Sequence, residues 1–131
     1  MAIAAGDVQP IVVNVGAKYV TNPWFGGGAA ITTKFMKERP EVARRVLLVL
    51  REVTDKIQAN FDQYRPLLAK YVGVPEASLP AVKKLVFRNE RDVDERDLKS
   101  MQNVLDMFYR EKLTPTHLNI NDKFVRLEDI K

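Results

Sequence analysis

Few residues in this chain could do chemistry, and their spacing narrows the choice further. The single histidine, His117, lies in the proline-threonine stretch LTPTHLN, with no serine or acid at a recognisable catalytic spacing. It reads as a solvated loop residue rather than a general base. Glu90, Asp92, Asp94, Glu95 and Asp97 form an acidic cluster. It lacks the Asp-x-Asp-x-Asp-Gly…Glu order of a calcium loop and contains Arg91 and Arg96. Helix capping and solvated charge account for it better. Gly26-Gly27-Gly28 is followed by no Gly-Lys-Ser/Thr and does not make a GxGxxG, so neither phosphate-cradling motif is present.

The stretch left over is Asn22-Pro23-Trp24-Phe25-Gly26-Gly27-Gly28-Ala29, which sets the only tryptophan beside three glycines. A glycine backbone can aim its N–H groups at a ligand while an aromatic wall supplies an apolar face. Three readings stay open on these residues: a ligand-binding loop, a hinge, or a turn whose aromatics are core.

The chain has 131 residues, enough for one domain, and 46% are apolar, too many for a disordered polymer. There is no cysteine, which excludes disulfides, thiolate catalysis and cysteine-ligated zinc. The net charge of +4 comes from 21 basic and 17 acidic residues mixed along the chain, unlike the basic face of a nucleic-acid binder. Glu41 stands four before Arg45, and Glu52 four before Lys56. That is the spacing of helix ion pairs worth ~0.3–0.5 kcal/mol each. No run approaches the ~18 apolar residues of a membrane span. The start, MAIAAGDVQP, has neither the charged nor the long apolar region of a signal peptide.

The elements that must position these residues divide unevenly. VQPIVVNV and Ala29-Ala30-Ile31-Thr32-Thr33 read as short strands, the first broken by Pro10. Thr33 is placed to cap a short helix, KFMKER. From Pro40 to about Ala59, Val42, Val46, Val49, Leu50, Val53 and Ile57 follow helical spacing and form the expected core face. Asn60 with Gln63 suggests a capping box for a helix over 61–72, kinked at Pro66 and stopped by Gly73. One or two helical turns follow, ended or bent by Pro80. Asp94 with Asp97, and Val93 across from Leu98, open a helix from Glu95 to about Lys112. A short helix is expected near Asn121 or Asp122. A strand-like first third, 1–33, thus precedes a mainly helical 34–131 in a single fragment domain.

The segment from Asn22 to Val74 resembles the C-terminal part of the nitrate/sulfonate/taurine class of ABC-transporter substrate-binding proteins. The resemblance runs through Lys34-Phe35-Met36-Lys37-Glu38-Arg39-Pro40-Glu41, Asn60-Phe61-Asp62-Gln63-Tyr64 and Leu68-Ala69-Lys70-Tyr71-Val72-Gly73. Val93-Asp94-Glu95-Arg96-Asp97-Leu98 is similar to the start of that family's last long helix, and Gly6-Asp7-Val8-Gln9-Pro10 to a shortened form of an earlier motif. Order, rather than any one motif, carries the likeness, over about residues 7–124.

The resemblance implies an α/β fold: the helix-rich C-terminal portion of a two-lobed periplasmic-binding-protein-like molecule, with few short strands and an incomplete sheet. It implies a non-catalytic, periplasmic or extracytoplasmic parent that binds a small organic or oxyanionic solute and delivers it to an ABC permease subunit, with no cofactor. Asn22, Trp24, Phe25, Gly26 and Gly27 would lie near the ligand cleft at the crossover between lobes. An incomplete lobe leaves sheet edges and apolar helix faces uncovered, so a homo-oligomer is expected. The rival class is a small helical interaction module that self-associates. An enzyme of the same fold family, a pyrimidine-precursor synthase, comes third for want of a nucleophile or metal cluster.

Overall fold

The computed structural model describes residues 11, 12, 14–82 and 84–131. Among the described residues six α-helices run in order: α1 Val15–Tyr19, α2 Thr33–Glu38, α3 Pro40–Ala59, α4 Phe61–Tyr64, α5 Pro66–Val72 and α6 Glu95–Arg110. Single-turn 3-10 segments cover Glu76–Ala81, Ile120–Asp122 and Leu127–Asp129.

No strand forms among the described residues, so the fold is all-α and the expected α/β architecture with its incomplete sheet is overturned. A strand exists only by pairing, and residues 29–32 have no ladder partner. Thr32 instead turns toward the next helix, and its side chain accepts from the Phe35 backbone N–H as the N-cap of α2. Val15, expected in the first strand, opens α1. Ile11, Val12 and Asn14 of that stretch form no strand either, while residues 1–10, with the Gly6–Pro10 motif, and Val13 lie outside the described residues.

Local signals decide the helix ends. Pro40 stands at the first position of α3, where a missing N–H costs no hydrogen bond. Pro66 divides the 61–72 segment, ending up at the start of α5. Gly73 closes α5 at φ +72, a left-handed conformation that suits glycine. Asp94 and Asp97 form the expected reciprocal capping box on α6: the Asp94 carboxylate accepts from Asp97 N at 2.9 Å, and Asp97 accepts from Asp94 N at 3.2 Å. The expected Asn60 box is absent; the Asn60 side chain makes no cap bond, and its carbonyl accepts from Gln63 N instead.

The chain packs as two compact units. The first takes 1–13 and 49–89. It holds the second half of α3 to the segment after residue 82: Gln58 donates to the Leu85 carbonyl, Lys84 to the Gln58 carbonyl, and Asn89 to Asp55. Phe61 and Val74 are its buried apolar residues, with the Arg65 guanidinium over the Phe61 ring. The second unit takes 14–48 and 90–131. There Arg44 donates to the carbonyls of Leu127 and Ile130, at 3.1 and 2.9 Å. Arg126 donates to those of Glu90 and Val93, at 2.7 and 3.1 Å. Ala43, Val93 and Ile130 are its buried apolar residues.

The apolar face expected to bury α3 is turned outward at five of its six residues, Ile57 alone being half-buried. Val42, Val46, Val49, Leu50 and Val53 are 39–57% exposed, whereas Ala43 is 1% exposed. The inner face of α3 is rotated by about a quarter-turn, onto Ala43, Leu47 and Thr54, with Arg44 and Arg51 half-buried beside them.

Candidate functional site

Two places in the second unit gather side chains that could act on a ligand. One is the 22–29 stretch. Ser100, 3% exposed on α6, donates its hydroxyl to the Pro23 carbonyl and meets the Thr21 hydroxyl at 2.8 Å. Asn103 donates to the same Thr21 oxygen at 3.2 Å. These bonds pin the entry to the loop on α6.

Trp24 then folds back over α1. A Cβ built on Gly16 would lie 2.6 Å from Cε2 of the indole, so the ring occupies the space a side chain at residue 16 would need. The glycine that the tryptophan requires is therefore Gly16, not the neighbouring triplet. Gly26, Gly27 and Gly28 are exposed and adopt no left-handed φ; a Cβ on Gly26 would only just reach the Trp24 indole nitrogen, at 4.0 Å, and one on Gly27 or Gly28 would meet nothing. Among the residues expected near a cleft, Trp24 is 42% exposed, Phe25 half-buried, and Asn22, Gly26 and Gly27 exposed.

The other place is an open groove of about 660 Å³ between α6 and the segment after it, lined by Glu95, Leu98, Lys99, Gln102, Asp106, His117, Asn119, Ile120 and Asn121. His117 Nε2 lies 2.8 Å from Asp106 Oδ1. Gln102 donates to the same carboxylate oxygen at 2.5 Å and to the Leu118 carbonyl at 2.9 Å, and its Oε1 accepts from Ile120 N at 2.8 Å. The Asp106 carboxyl is held below its usual range, first by the Gln102 hydrogen bond and then by His117. Tyr109 meets the His117 ring edge-on, 5.5 Å between centroids.

An imidazole oriented by a carboxylate is half of a nucleophile-activating arrangement. The other half is missing: no hydroxyl bonds His117 among the described residues. The amide of Gln102 has both ends engaged by backbone groups of the 117–120 segment, so the cluster ties that segment to α6 and leaves little polarity free for a ligand. Sequence reading passed over Gln102 and Asp106. Their i, i+4 spacing was a legible signal for a side-chain pair, but the approach of His117 from outside the helix was not.

No group of His, Asp or Glu able to hold a metal ion occurs among the described residues. No helix there is long and apolar enough to cross a membrane. Comparison with protein-family models, with curated proteins and with solved structures returned no match.

Proposed function

We propose that this chain is a helical interaction module that works without catalysis, by self-association through the outward face of α3. The observation that carries this reading is the valine stripe. Val42, Val46, Val49 and Val53 lie on one side of an unbroken helix, and each keeps about half its surface in water. Contiguous exposed apolar surface is uncommon on monomers and marks contact sites. The groove on α6 offers a ligand less, because Gln102, Asp106 and His117 already bind one another. Light scattering across a concentration series tests the reading. The wild type should gain mass toward a dimer, and Val49→Asp should remain monomeric with unchanged helical circular dichroism. A monomeric wild type together with an unfolded Val49→Asp would return the stripe to the core and sink the proposal.

A second reading is favoured by Trp24, whose indole is pinned on one side by Gly16 yet 42% exposed, beside an open glycine backbone. In it the chain belongs to a solute-binding component of an ABC importer, working outside the cytoplasm. Asn22, Trp24, Phe25, Gly26 and Gly27 contact a small organic or oxyanionic solute that is passed to a permease subunit. Trp24 is the only tryptophan, so its fluorescence reports on this loop alone. Saturable quenching by taurine or nitrate in the wild type, with a binding heat in calorimetry that Trp24→Phe loses, is the expected result. A flat titration removes this reading.

A further inference from the structure

The stripe on α3 advances in steps of four, three and four, from Val42 to Val46, Val49 and Val53. That is the d, a, d, a spacing of a coiled-coil seam, with Leu50 widening it on one flank. The other flank, one residue before each a position, carries Arg45 and Glu52. Both are exposed. Among the described residues Glu52 accepts only from Lys56, one turn further on and 2.5 Å away, in a pair open to solvent on both sides. The Glu41–Arg45 pair suggested by spacing does not close, and Arg45 makes no ion pair among the described residues.

Resting on the self-association reading, we propose that the occupant of this stripe is the same stripe of a second copy. The two α3 helices run antiparallel, with Arg45 of each copy opposite Glu52 of the other.

Register and charge select this occupant together. In an antiparallel pair, residues of type a meet residues of type d. Val46 then faces the second copy's Val49, and Val42 faces its Val53. The same register brings Arg45 opposite the second copy's Glu52, and two-fold symmetry makes the contact twice. A parallel pair offers neither. It would set Arg45 beside Leu50 and Glu52 beside Ile57, with no opposite charge facing either. It would also align the helix dipoles, which the antiparallel arrangement opposes. The seam is about two heptads long and smaller than the ~800 Å² per partner of a standard interface, so the association is weak and concentration-dependent.

The chain has no cysteine, so introduced thiols report on this geometry without background. Val42→Cys and Val53→Cys are expected to form disulfides with each other when mixed, and neither with itself. In the antiparallel register two copies of residue 42 stand about 16 Å apart along the axis. Arg45→Glu and Glu52→Arg should each raise the dimer dissociation constant about tenfold, and the double variant should bring it back. A dimer whose Val42→Cys and Val53→Cys forms each cross-link to themselves is parallel; that result overturns this arrangement and leaves self-association standing. A dimer with no cross-link of either kind, indifferent to the charge reversals, overturns it too, by placing the contact off α3. A wild type that stays monomeric at millimolar concentration removes both proposals together.

Discussion

The two long helices of this chain, α3 and α6, are both amphipathic, yet they meet the rest of the protein in opposite ways. On α6 the most deeply buried side chains are polar: Asp97 at 1% and Ser100 at 3% exposure. Each has partners that burial requires, Asp97 in the capping box and Ser100 between Thr21 and the Pro23 carbonyl. On α3 the only fully enclosed residue is Ala43, while the valines face water. What holds α3 in the second unit is again polar, the two bonds from Arg44 to the carbonyls near the C-terminus. Directed bonds to backbone carbonyls therefore orient both helices. Apolar area, which attracts without direction, stays exposed on α3.

The largest effect in this comparison is expected at Asp97. Asp97→Ala removes one half of the capping box and leaves the Asp94 N–H without its acceptor. Urea unfolding should show a loss of about 2–3 kcal/mol. A loss under about 0.5 kcal/mol would mean that the buried polar groups of α6 do not set its position.

A sharper test sets two positions of α3 against each other, at a concentration where the chain is monomeric. Arg44→Ala abandons two carbonyls and should cost about 1.5–2 kcal/mol. Leu50→Ala, on the outward face, should cost below about 1 kcal/mol, well short of the ~2–5 kcal/mol of a core leucine. Helical periodicity alone predicts the reverse order, with Leu50 as core and Arg44 as solvated surface. Finding that reverse order in denaturant midpoints would break the comparison.

The smallest effect is an acid limb at the far end of α6. The Asp106 carboxyl is held below its ordinary value of 3.8 by Gln102 and His117. Above that value the group is ionised in both the folded and unfolded chain, and its full contribution to stability is present. As pH falls from about 4 through the lowered folded value, the unfolded chain takes up the proton first and the contribution is lost. Asp106→Asn should flatten this limb in a melting-temperature profile below pH 4 and leave the neutral range nearly unchanged. An identical acid limb in the variant would show that the tie to His117 and Gln102 adds nothing.

Much of the local structure was legible in the residues themselves. The bounds of α3, the break at Pro66, the left-handed stop at Gly73 and the Asp94–Asp97 box all act within about four residues of chain, where steric and capping effects decide the outcome. Asn60 shows the limit of that reasoning, because the same pattern left its side chain unused. The candidate site was less legible. Trp24 stood out by composition, but its partner Gly16 lies eight residues away, and the Asp106–His117 contact spans eleven.

The sequence by itself determined the bounds of α3, the start and stop of α5 and the start of α6, because proline, glycine and capping side chains act on the nearest turn. Tertiary structure alone decided that no sheet forms among the described residues, that α3 buries Ala43 rather than its valines, and that Trp24 lies over Gly16. A strand or a buried face exists only through a distant partner. Periodicity shows which side of a helix is apolar, while the hydrogen bonds of residues such as Arg44 and Ser100 decide which side is enclosed.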